Sequence, residues 1–156
     1  DRSCILDPLT QPLPFTPFKD FTGRSINEIN LYSTEMSSAL CSIDRVSASA
    51  NMNNRLSEAI VEAYKSTNGA PISFELMLKC YQSRMKDANN DDSISSVLKQ
   101  LVNAHIFESE DKVSLIDDSY IIKMDGYPKD GPIAKAIVYF LMSKLNNIYE
   151  LWINKQ

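Results

Sequence analysis

The sequence predicts a mainly helical fold: a winged helix of three helices plus a β-hairpin, with an added N-terminal helix and a long C-terminal helix. Three observations lead there. Apolar residues recur every three or four positions through most of the chain, the period of a one-sided helix. From Pro71 to Leu115 the order is helix, polar break, helix and short extended segments, the grammar of a helix-turn-helix with a wing. Helix-breaking prolines concentrate at the start, where four of the seven lie before position 18.

At 156 residues and 44% hydrophobic, the chain suits one domain or one domain with a docked extension. Such a chain can remove roughly two-thirds of its unfolded surface from water. The net charge of −4 counts against nucleic acid as the main partner, because phosphate binding needs a basic surface. Cys4, Cys41 and Cys80 have no metal-ligand spacing and read as free thiols in a reducing, intracellular compartment. No leader pattern and no long apolar run appears, so neither a signal peptide nor a membrane span is expected. A first residue of Asp predicts a piece excised from a longer protein.

Residues 1–23 read as a proline-rich apolar strap. Pro8, Pro12, Pro14 and Pro17 forbid a helix and make a poor central strand. Yet Ile5, Leu6, Leu9, Leu13, Phe15, Phe18 and Phe21 make it too apolar for a free linker. The strap either lies over the domain or docks in a partner, with Phe15 and Phe18 as anchors. Pro14 and Pro17 make one weak P-x-x-P spacing.

Residues 24–52 predict a leading helix from Ser25 to about Ala50, opened by a capping box between Ser25 and Glu28. Its break is expected at Ser47–Asn54. Residues 53–124 predict the winged-helix unit. Its first helix ends at Gly69, read as the C′ residue, with Pro71 beyond. Ser73 caps the second helix, and Asp92 or Ser93 starts the third, whose core face is Ile94, Val97, Leu98, Leu101 and His105. Ile106-Phe107 and Val113–Leu115 are expected to pair across a turn at Glu108–Asp111 as the wing.

Residues 125–156 predict the last helix, from Pro132 to Gln156, with proline at its first position. One face holds Ile133, Ile137, Phe140, Leu141, Leu145, Ile148 and Trp152, and a second holds Ala134, Val138, Met142, Tyr149 and Ile153. Together they exceed the stripe that one-sided burial needs. Phe140, Tyr149 and Trp152 are therefore candidate partner-binding residues.

Chemistry is harder to find. His105 is the single histidine and has no companion at ligand spacing. The acids around Asn89–Asp92 and Asp117-Asp118 lack the EF-hand order. No phosphate loop or nucleophile elbow appears, so neither catalysis, a cofactor nor a metal is expected. For DNA, the third helix would present Lys99, Gln100 and Asn103, with Lys112 at the wing. The tip, Glu108–Lys112, carries three acids to one base and would repel phosphate.

PISFELMLKCYQSRM, the polar insert and SSVLKQLVNAHIF together resemble the C-terminal winged-helix domains of the origin recognition complex and its related initiators. LCSIDRVSASANMNNRLSEAI and Tyr127-Pro128 look similar to one large subunit of that complex. The resemblance implies a nuclear assembly module in chromosome replication or silencing. The expected function is thus a non-catalytic winged-helix protein-interaction module in a nuclear chromosomal assembly, its partners protein subunits or a second copy. The alternatives are a weakly sequence-specific DNA-binding winged helix and a helical scaffold or dimerisation domain.

Overall fold

The first four helices of this chain begin where a small polar side chain accepts one of the amides left free in the first turn. The computed structural model describes residues 3–43 and 46–154. Among them are α1 (Ile26–Cys41), α2 (Ala50–Ser66), α3 (Phe74–Ser83), α4 (Ser93–Ala104) and α5 (Pro132–Asn154), with β1 (Ser3–Leu6) and β2 (Ser119–Ile122). The fold is mainly helical, with one small two-stranded sheet.

Ser25 and Glu28 form the expected box, the Ser25 amide donating to Glu28 Oε2 at 3.1 Å. Ser49 caps α2 by accepting from the Met52 amide, and Ser73 caps α3 by accepting from Leu76. Asp92 caps α4, accepting from the Ser95 amide at 2.8 Å. The leading helix stops at Cys41 instead of near Ala50, and the next begins at Ala50. Only residues 47–49 of the expected break Ser47–Asn54 are non-helical; residues 50–54 belong to α2, because Ser49 serves as its N-cap. Positions 44 and 45 of the predicted helix, and 155 and 156 of the last one, lie outside the described residues.

Successive helices pack in turn, α1 on α2, α2 on α3 and α3 on α4, and α4 meets α5. Met36, Leu56, Ile60, Tyr64, Met77, Tyr81 and Leu98 are almost fully buried between them. Each such side chain contributes about 1.5–3 kcal/mol on leaving water. A polar latch joins three of the helices at their ends. Arg55 on α2 donates to Asp92 Oδ2 at 3.1 Å, and Tyr81 on α3 donates to the same oxygen at 2.6 Å. Asp92 therefore caps α4 and ties it to both preceding helices.

The end of α2 corrects the sequence reading. Asn68, with φ of 53°, occupies C′, and Gly69, with φ of 89°, follows it. The Gly69 amide donates to the Tyr64 carbonyl at 2.9 Å and that of Asn68 to Lys65 at 3.3 Å, which is the Schellman pattern. Asparagine tolerates the left-handed region, which leaves glycine for a second task. Gly69 touches the strap: the Phe21 amide donates to its carbonyl at 2.7 Å.

The β-hairpin is the larger correction. Ile106-Phe107 does not pair with Val113–Leu115; it pairs with the strap. The Leu13 amide donates to the Ile106 carbonyl at 2.6 Å, and the Glu108 amide donates to Leu13 at 2.9 Å, a parallel bridge. The Lys112 amide donates to Pro14, and β1 pairs in parallel with β2, Ser3 opposite Ser119 and Leu6 opposite Ile122. A hairpin with such short arms is marginal alone. The strap offers the same backbone partners and adds apolar side chains. Leu13, Phe15, Ile106 and Ile137 form a second buried cluster under this pairing. Phe18 and Phe21 enter the main helical core.

A candidate interaction surface

The buried side of α5 is set by Ala134, Ala136, Ile137 and Phe140, which complete the two cores, and then by Lys144. The lysine stem covers the Phe15 ring, with Nζ 5.9 Å from its centroid, while the ammonium reaches Asp111 at 2.7 and 2.8 Å. Asp111 also accepts from the Thr16 amide at 3.0 Å. The residue expected at a solvent-facing wing tip instead clamps the strap to α5.

Because Lys144 points inward, Leu145 one residue later turns outward by the ~100° step of a helix. Exposed apolar residues therefore run Val138, Met142, Leu145, Tyr149 and Trp152, each 49–62% exposed. The two faces read from sequence divide differently here. Leu145 and Trp152 leave the core-facing set and join Val138, Met142, Tyr149 and Ile153, while Ala134 of the second face is buried. The signal was present as the i, i+3, i+4 spacing of Ile137, Phe140 and Lys144. It was masked because a lysine is seldom taken for a buried residue.

The helix's other late charge is also occupied: Glu150 pairs with Lys19 at 3.2 Å. The outward strip of α5 beyond Val138 consequently carries no free charge among the described residues. Beside its upstream end lies a mostly apolar groove of about 370 Å³, lined by Phe15, Leu115, Ile122, Val138, Leu141 and Met142, with Asp118, Tyr120 and Lys144 as its polar members. Neither the groove nor the strip is recognisable from any single motif, since the groove assembles strap, β2 and α5.

Of the candidate partner anchors, Tyr149 and Trp152 stand exposed, their rings stacked with centroids 6.3 Å apart. Phe15, Phe18 and Phe140 are at most 3% exposed and so belong to the core, not to a docking surface. Phe18 packs edge-on to Phe74 and Phe140 at 4.9 and 5.5 Å between centroids. Pro17 is buried and Pro14 half-buried, so the P-x-x-P pair is not displayed.

The residues considered for DNA are scattered and occupied. Lys99 reaches Asp91 at 2.8 Å and Lys112 reaches Glu108 at 3.3 Å. Gln100 and Asn103 are exposed on α4 beside them. Ser95 is buried and Ser93 donates to the Ser47 carbonyl at 2.9 Å, so the outer face of α4 is narrower than its sequence suggested. His105 is not on the core face. It is exposed and ends α4 in the left-handed region, with φ of 46°.

No group of three or more His, Cys, Asp or Glu among the described residues is placed to hold a metal ion. The three thiols are free, and burial pushes those of Cys41 and Cys80 above the ordinary cysteine range. No helix among the described residues is long and apolar enough to cross a membrane. Comparison of the chain with protein-family models, with curated proteins and with solved structures finds no match, and what the molecule does must be argued from the surface just described.

Proposed function

We propose that this chain is a non-catalytic protein-interaction module: a winged-helix-like trihelical unit whose wing pairing has been taken over by its own N-terminal strap. The observation that carries this reading is the uncharged apolar strip on α5, contiguous with a preformed apolar groove. A contiguous exposed patch of that kind marks a surface meant to be covered. Tyr and Trp at its end are the anchor types that dominate protein interfaces. The resemblance of the Pro71–Phe107 region to origin recognition complex domains supports a nuclear chromosomal assembly as the setting.

The competing reading is weak DNA binding through α4 and the segment after it. Against it, Lys99 and Lys112 would each have to leave an acidic neighbour, and the chain carries a net charge of −4. A fluorescence-anisotropy titration with a labelled duplex tests the choice. No binding is expected even at about 50 mM salt, where phosphate contacts are strongest. Binding that weakens steeply toward about 200 mM, and is lost on Lys99→Ala or Lys112→Ala, would overturn the interaction-module reading.

A further inference from the structure

We propose that the partner of the α5 strip is a second copy of this chain, the two helices lying antiparallel with Trp152 of each against Met142 of the other. This inference rests on the interaction-module reading and names its occupant. Among the exposed apolar residues of α5, those at 138, 142, 145, 149 and 152 advance by four, three, four and three, the spacing of a coiled-coil seam, with Ile153 beside them and Leu151 on the neighbouring face.

Charge leaves a second copy unopposed. In paired helices, charges flanking the seam choose between like and unlike partners. Here Leu141 and Ile148 flank one side, Asn146 and Ile153 the other, and Lys144 and Glu150 are both engaged within their own domain. Among the described residues, nothing on the strip demands an oppositely charged partner, and nothing repels an identical one. A two-fold contact puts each residue against another from the same set, which an uncharged strip satisfies without adjustment.

Shape selects the direction. With the helices antiparallel, Met142 meets Trp152 and Leu145 meets Tyr149 of the other copy, so each layer combines a flexible aliphatic side chain with a ring. The indole then enters the groove of about 370 Å³ beside Met142. A parallel pair would set Trp152 against Trp152 and leave that groove unfilled. With the strip's side chains about half exposed and even large aromatic residues offering only ~200 Å² each, each copy contributes on the order of 500 Å² at most. The total of roughly 1,000 Å² lies below the standard size and in the range of weak, transient interfaces. A weak, concentration-dependent dimer is the expectation.

The mass of the full chain by sedimentation, from about 1 to 200 µM, tests this, read together with the fluorescence of Trp152, its only tryptophan. Mass should climb from one copy to two while emission shifts to the blue along the same curve. Met142→Glu, or Tyr149→Glu if the first folds poorly by circular dichroism, should raise the dissociation constant at least tenfold. Leu31→Glu, an equally exposed leucine on α1, should not. In a Cys4→Ser background, Met142→Cys with Trp152→Cys should cross-link between copies on oxidation, and Met142→Cys alone should not. A single-copy mass at every concentration, or a dimer indifferent to both glutamates, overturns the second copy as occupant. Cross-linking through position 142 alone overturns the antiparallel direction. A single-copy mass without DNA binding would leave the interaction-module reading standing, whereas steep salt-dependent DNA binding would remove that reading whatever the mass.

Discussion

The strap from Leu13 to Phe21 and the second half of α5 are comparably apolar, yet the strap's large side chains there are buried and the helix face is not, while Ile5 and Leu9 at the strap's start stay exposed. Leu13, Phe15, Phe18 and Phe21 are 1–3% exposed, while Val138, Met142, Leu145, Tyr149 and Trp152 are 49–62% exposed. The difference lies in the backbone. A helix satisfies its own amides and carbonyls, so its spare face loses only apolar contact by standing in water. A proline-rich strap has no internal ladder and must find partners for the amides it keeps. It finds them in Ile106, Gly69 and Asp111, and its rings are carried inward with the chain.

Truncation should break this symmetry most sharply. Phe18→Ala removes a ring wedged between Phe74 and Phe140 and should cost about 3–5 kcal/mol in denaturant unfolding. Trp152→Ala, measured in dilute solution, should cost less than about 0.5 kcal/mol, as for an exposed site. Equal costs would mean that the end of α5 is as much core as the strap.

A smaller effect is expected at the contact between the strap and the α2 terminus. A Cβ on Gly69 would lie 2.7 Å from the Phe21 carbonyl oxygen, in a backbone conformation that already disfavours side chains. Gly69→Ala should therefore destabilise the fold by about 2 kcal/mol, from left-handed strain plus displacement of the strap. A thermal midpoint unchanged by this substitution would show that the strap can shift without loss.

The third test is silent at neutral pH. Burial raises the Tyr32 hydroxyl to about 12 and drives that of Tyr64 upward as well. The two hold the strap at Lys19, Tyr32 accepting from its amide at 3.3 Å and Tyr64 donating to its carbonyl at 2.8 Å. Their folded values exceed the unfolded one near 10, so the stability they provide is complete below pH ~10. It is lost as the pH climbs from about 10 through 12. Tyrosinate absorbance followed with circular dichroism should show late ionisation coincident with unfolding. Ionisation of all seven tyrosines near 10 in a folded chain would refute the burial of this pair.

Local chemistry was the legible part. Ser25, Ser73 and Asp92 cap the helices predicted from them, because a cap depends on a side chain and an amide a few residues away. The stripes of α2, α3 and α4 were likewise readable, apart from His105, whose left-handed backbone turns it outward. The candidate surface was half legible. Tyr149 and Trp152 were identified as anchors, but Phe140 was not separable from them, since aromatic residues serve cores and interfaces alike. Leu145 went to the wrong face because Lys144 takes an inward position that only Asp111, 33 residues earlier, makes tolerable.

By itself, then, the sequence determined that most of the chain is helical, the starts of α1, α3, α4 and α5 and the apolar stripes of α2, α3 and α4, which follow from interactions within a turn or two of chain. Only the tertiary structure decided which extended segments pair and which apolar face stays open. Ile106-Phe107 had Val113–Leu115 within easy reach and paired with Leu13, more than ninety residues away. A short hairpin saves loop entropy, but the strap satisfies the same backbone groups while burying Leu13 and Phe15, and the burial outweighs the longer closure.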